Sequence, residues 1–209
     1  MVRLQNVGDG RFVDEHAHIS EEHFALLTKH HVAAGDVLIA ALGHDLPRAC
    51  LAPPWLGPSI VKADVFRARL HTSVNGAYVV AALNSPLVRD LASKQISGIG
   101  RPRLNLAKTR ALELPLAPRA EQDRIVERIE QITSCESAAL ESVSSAAQRL
   151  GYRLESVPGA NLLRRSLLMR AVTGRLVHQD VNDEPATNLL ALIRADRGVD
   201  TTQRPRQPR

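Results

Sequence analysis

Six cations and one acid fall within 22 consecutive residues. Positions 89 to 110 hold Arg89, Lys94, Arg101, Arg103, Lys108 and Arg110 against Asp90, a local balance of 6 − 1 = +5. The whole chain has 27 Lys and Arg against 22 Asp and Glu, also +5, so the other residues sum to zero. Charge gathered this way is the footprint of an anion-binding face, and a phosphate backbone is the commonest large anion. A solvated basic surface with no partner is the alternative. Arginine outnumbers lysine 23 to 4, which suits bidentate contacts to phosphate and guanine. The aromatics are Phe12, Phe24, Trp55, Phe66, Tyr78 and Tyr152, too few for a stacking platform that would read single strands or RNA.

Other reactive chemistry is sparse. His16, His18, His23, His30 and His31 cluster early, but they lack cysteine support and are interleaved with Glu21 and Glu22. A solvated polar surface therefore outranks a metal site. Cys50 and Cys135 give neither a disulfide framework nor metal-ligand spacing, and both thiols are expected to be buried and inert in a reducing cytoplasm. Gly98-Ile99-Gly100 runs into Arg101-Pro102, a flexible basic loop rather than a dinucleotide turn. No serine sits in a nucleophile elbow, and no carboxylate pair is spaced for acid–base work. Asn84-Ser85-Pro86-Leu87 lacks the second proline and the aromatic of the Asn-Pro-Pro-aromatic motif of adenine methyltransferases, and helix capping accounts for it. The expectation is a non-enzyme with no catalytic residue, no cofactor and no metal.

The elements that would carry the basic run can be read from periodicity. Residues 1–30 read as a strand and turn followed by a short helix capped by Ser20. Gly35-Asp36 turns into the apolar strand Val37 to Ala40, and extended pieces follow near Ala49–Ala52 and Ile60–Leu70. In the latter, Val65, Arg67 and Arg69 share one face and Phe66, Ala68 and Leu70 the other. Ser85 caps a helix opened by Pro86, and Leu112 to Pro118 reads as a last strand ended by two prolines.

Beyond Pro118 the pattern changes. Counting by four and three from Ile125 reaches Ile129, Ile132, Glu136, Ala139, Val143, Ala146 and Leu150, and neither Gly nor Pro interrupts Arg119 to Leu150. That is a heptad seam on a helix of roughly 31 residues, about 46 Å long. Ile125, Ile129, Ile132, Val143 and Leu150 are its pairing positions, and Glu136 breaks it. The seam's partner is a second copy, another chain, or Leu162–Val172 of the same chain. Leu162 to Thr173 forms a further helix closed by Gly174, and another starts near Pro185. The fold class is therefore α+β. A mixed α/β domain over 1–118 precedes a helical region over 119–195, with one long coiled-coil-type helix and short C-terminal helices, and a disordered tail over 196–209. Neither a bilayer-length apolar stretch nor a signal-peptide core is present, so the expected location is cytoplasmic with no membrane partner.

The order of three segments carries a resemblance. They are Gly100-Arg101-Pro102-Arg103-Leu104-Asn105-Leu106, then Leu112-Glu113-Leu114-Pro115-Leu116-Ala117-Pro118, then Glu121-Gln122-Asp123-Arg124-Ile125-Val126. With Val32 to Ala40 upstream, and with Leu163 to Leu168 and Ala171 to Val177 downstream, the chain resembles the specificity subunits of type I restriction-modification systems over roughly residues 1–195. The resemblance implies a target-recognition domain over 1–118 and a spacer or dimerisation helix after it. It implies a non-catalytic subunit that binds duplex DNA and docks methyltransferase subunits, through which restriction subunits act. Family members usually carry two such halves, so this chain is expected to be half-length and to work as a homodimer or paired with another specificity chain. It is also expected to be trimmed at its N-terminus, where Arg3 to Val7 matches the family's strand almost at once. A truncated fragment that pairs through its helix without binding DNA is the alternative. Lys94, Arg101, Arg103 and Lys108 are the expected DNA-binding residues.

Overall fold

A central strand buried on both faces, flanked by two partly exposed neighbours, organises the first half of the chain. The computed structural model describes residues 1–96, 102–149 and 160–202. A bridge between Val7 and Phe12 closes the first turn, and α1 (Glu21–Leu26) follows, capped by Ser20 Oγ, which accepts from His23 N–H. Then come β1 (His31–Val32), β2 (Val37–Ala40), β3 (Arg48–Leu51), β4 (Ser59–Ile60) and β5 (Val65–Ala68). β2 is central in an antiparallel sheet of order β3-β2-β5, and β1 pairs with β4 beside it. Every residue of β2 is buried. Val37 and Ile39 face one way with Ala49, Leu51, Phe66 and Ala68, whereas Leu38 and Ala40 face the other with Cys50 and Val65.

Each face has its own cover. The first packs on α2 (Gly76–Leu83) and, beyond it, on Val88 of α3 (Pro86–Ser93). Residues 78 to 83 are all buried, as expected for a helix that is apolar on every side. Asn75 caps α2 by accepting from the N–H groups of Ala77 and Tyr78, and Ser85 caps α3 by accepting from Val88 N–H. The second face is covered by the N-terminal segment through Val2, Val7 and Phe12. Phe66, Ala68 and Leu70 do share the helix-side face, while Arg67 and Arg69 reach the buried carboxylate of Asp36.

The expected strand over 112–118 does not form. After α4 (Leu106–Arg110) residues 112–118 form no regular element and pair with no strand among the described residues. Leu112 and Leu114 instead pack on the core, and the Pro115 carbonyl accepts from Tyr78 Oη at 2.9 Å. Two prolines in seven residues remove the donors a ladder would need.

The 31-residue helix is present as α5 (Arg119–Arg149). Its first turn belongs to the domain, since Glu121, Gln122 and Ile125 are all buried. Gln122 Oε1 accepts from Asn75 N–H at 2.9 Å, its Nε2 donates to the Ala117 carbonyl at 2.8 Å, and Asn75 Nδ2 donates to Asp123 at 2.7 Å. α6 (Ala160–Val172) packs on α2 and α3, and Gly174 closes it at φ +67°. Asp9 ties these parts together. Arg89 of α3 donates to its carboxylate at 3.0 Å, and Arg164 of α6 donates to its carbonyl at 2.9 Å. Gly10 takes φ +76°, a backbone conformation that side chains with a Cβ rarely adopt, so the turn favours glycine there.

α7 (Ala186–Thr202) extends further than composition indicated: residues 196–202 are helical rather than part of a disordered tail, and 203–209 lie outside the described residues. His71 Nε2 and Asp196 Oδ2, 2.5 Å apart, hold α7 to the domain. Among the described residues no helix is long and apolar enough to cross a membrane. Cys50 is buried as expected, but Cys135 is exposed on α5, where no neighbouring element covers it.

Candidate nucleic-acid interface

The structure divides the basic run into groups with different duties. Arg89 is tied to protein acceptors: its Nη2 donates to Asp9 and, at 3.3 Å, to Asn84 Oδ1, and its Nε donates to the Pro47 carbonyl at 3.3 Å. Lys108 is half-buried, and its ammonium donates to the Gln95 carbonyl at 2.5 Å. Lys94 stands exposed just past α3, and its side chain has no ion-pair or hydrogen-bond partner among the described residues. Arg103 is exposed and pairs with Asp64. Arg101 lies outside the described residues.

A groove gathers the rest. α4 is a single turn capped by Asn105, whose side chain accepts from Lys108 N–H at 2.9 Å. Leu106 and Arg110, four residues apart and so on one side of that turn, line the groove, while Lys108 points toward the end of α3. The opposite wall comes from α1 and the turn after it, including Lys29, and the floor runs along β4, the following turn and β5. The space is about 640 Å³. Lys29, Lys62, Arg67 and Arg110 reach it from three separate stretches of chain, and the lining residues include one carboxylate, Asp64. Lys29, Lys62 and Arg110 have no side-chain partner among the described residues, and Arg67 lies 3.6 Å from Asp36.

Such an array can neutralise several phosphates of one polyanion. None of the described residues expected from the sequence to bind DNA, Lys94, Arg103 and Lys108, lines this groove; Arg103 reaches only its rim through Asp64. Arg110 belongs to the same basic run but is not among the expected DNA-binding residues, and Lys29 and the pair Lys62 and Arg67 lie outside that run and join it only through the fold. Among the described residues no group of three or more His, Cys, Asp or Glu is placed to hold a metal ion. His31 instead stacks on Phe24, with ring centres 4.2 Å apart, and His16 stacks on His18.

The carboxamide of Asn84 is also accounted for. It is buried against the outer edge of β3, where both of its ends bond the backbone of Ala49.

The heptad seam changes character along α5. Ile125 is fully buried with Val37, Tyr78 and Ala171 of its own chain, so it serves the domain core and cannot pair with a second helix. Ile129 packs against the same cluster, and Ile132 is half-buried. Ala139 and Ala146 are exposed, as is Val143 at 52%. Leu150 lies outside the described residues. The main neighbours of α6 are α2 and α3 rather than the outer half of α5.

No family model matches the chain, and a search of curated proteins finds no match.

Proposed function

We propose that the chain supplies one recognition half of a type I restriction-modification specificity subunit, binding duplex DNA and directing methyltransferase, and through it restriction, subunits to a target site. The observation that carries this reading is the convergence of Lys29, Lys62, Arg67 and Arg110 on one groove beside the segment that bears the ordered motifs. Phosphate contacts from such cations fix register on a duplex, and base-edge contacts would supply the sequence. The exposed outer half of α5, with Val143 on the seam, supplies a surface for pairing with a second copy or another specificity chain.

Three measurements test the proposal. The tagged protein is expected to co-purify with the methyltransferase subunits of its host, and deleting its gene is expected to erase a defined set of methylated adenines. Titration with duplex DNA is expected to show affinity that falls steeply with salt. No co-purification together with an unchanged methylome rules the proposal out.

A further inference from the structure

The acid inside the cationic groove is held in place by the backbone. Asp64 sits at φ +70°, a conformation that Asp and Asn tolerate better than most residues. Its carbonyl accepts from Ala41 N–H at 2.8 Å. The Ala41 carbonyl in turn accepts from Leu104 N–H at 2.9 Å, and Leu42 bridges to Arg103. Ala41 and Leu104 are fully buried. The end of β2 therefore fixes the Asp64 and Arg103 backbones beside one another, so their pairing is not a chance meeting of two long surface side chains. The carboxylate of Asp64 is also the one that Lys29, Lys62 and Arg110 would otherwise surround with charge of a single sign.

From this arrangement we infer that Asp64 is a built-in competitor for Arg103, holding the guanidinium until a DNA phosphate displaces it and so lowering the groove's affinity for arbitrary duplex. The inference rests on the DNA-binding reading and adds a regulatory residue to the same groove. A neutralised arginine adds little to long-range attraction, because the pair presents no net charge to an approaching duplex. Contact would exchange one anionic partner for another, with no covalent change. Groove cations without a partner attract any phosphate, whereas Arg103 is released only where the duplex lies close enough to replace a carboxylate. Asp64 thereby penalises loose, non-specific encounters more than seated ones.

The test uses the full chain and compares wild type, Asp64→Asn, Arg103→Ala and the double variant on a random-sequence duplex across a salt series, with circular dichroism to establish folding. Asparagine keeps the tolerance for φ above zero, so Asp64→Asn is expected to fold. It should bind several-fold tighter at low salt, with a salt slope steeper by about 0.9, the increment for one further phosphate neutralised. Its advantage over wild type should accordingly shrink roughly threefold between about 50 and about 200 mM salt. The double variant should lose that steepening, and Arg103→Ala alone, with a bare carboxylate in the groove, should bind more weakly than wild type. Wild-type binding with an Asp64→Asn curve superimposed on it overturns this inference and leaves DNA binding standing. Folded proteins that all fail to bind duplex at low salt overturn both.

Discussion

The carboxamide of Asn84 closes both backbone hydrogen bonds of Ala49: Oδ1 accepts from the Ala49 N–H at 2.9 Å and Nδ2 donates to its carbonyl at 2.8 Å. One side chain thus stands in for a strand on the free edge of β3. The Ala49 carbonyl also accepts from Gly10 N–H, but its N–H depends on Asn84. Asn84→Ala leaves that buried donor unpaired, at a cost of about 1–3 kcal/mol. Urea unfolding should show a lower midpoint with an unchanged slope.

The two halves of α5 should respond in opposite ways. Ile125→Ala opens a cavity among Val37, Tyr78 and Ala171 and should cost about 2–5 kcal/mol. Val143→Asp alters an exposed position and should leave unfolding within about 0.5 kcal/mol of wild type. Sedimentation velocity should nevertheless show weaker helix pairing in Val143→Asp. Unchanged association would move the pairing surface off the outer half of α5.

Charge neutralisation separates the groove from the scaffold. Lys62→Ala and Arg110→Ala should each reduce the salt slope of duplex binding by about 0.9 and leave the unfolding midpoint alone. Arg89→Ala should behave in reverse, because its guanidinium holds Asp9, Pro47 and Asn84 together. Fluorescence anisotropy and thermal melts on the same three proteins read both effects.

Asp36 supplies an acid-sensitive contribution. Burial alone would raise its carboxyl, but hydrogen bonds from Arg69 and from Ala33 N–H, with the charges of Arg69 and Arg67, outweigh it and hold the group below the ordinary carboxylate range. A depressed native value means that the unfolded chain takes up the proton first. The stabilisation is therefore complete above the unfolded value of about 3.9 and is lost as pH falls through the native one. Asp36→Asn should be less stable at neutral pH, and its stability should fall less steeply below about pH 4. Parallel unfolding curves for the two proteins down to acid pH would remove Asp36 from this role.

The two thiols should part in a titration with an aromatic disulfide reagent. Burial pushes Cys50 up to about 12, against opposing effects of the Gly8 N–H and Arg48, so its thiolate is scarce and covered. Cys135 is open to solvent. One thiol per native chain should react promptly near pH 8, and the second only when denaturant is added. Replacing Cys135 with Ser should abolish the fast phase.

Much of the scaffold was legible in the residues because its signals are local. The Ser20 and Ser85 caps, the apolar run at Val37 and the Gly174 stop each follow from side chains within a few positions of their effect. The uninterrupted stretch from Arg119 announced α5 for the same reason. Misreadings arose where a distant partner decides. Leu112 to Pro118 has the apolar content of a strand, but the core takes its side chains, and its Pro115 and Ala117 carbonyls accept from the side chains of Tyr78 and Gln122 rather than from a neighbouring strand. Ile125 fits a heptad yet is claimed by the domain, because Asn75 seats the first turn of α5 through Gln122 and Asp123. The groove was barely legible. Arg110 stands in the basic run that drew attention to this part of the chain, whereas Lys29 and the pair Lys62 and Arg67 lie outside it, and only the packing of β4 and β5 beside α1 and α4 brings them together.

Asp9 is bonded to residues 80 and 155 positions further along the chain. A ribosome delivers these parts in order, so the turn at Gly8 to Gly10 is made early and must wait for both partners. Arg89 arrives first and can engage it. Until α6 has left the exit tunnel, the Arg164 side of that turn stays open, and the surfaces of α2 and α3 that α6 covers stay bare. The turn at Asp9 therefore completes its contacts only after residue 164 has been made. A message cut short before α6 would release a chain with an uncovered apolar flank, the kind of product that chaperones retain and proteases remove.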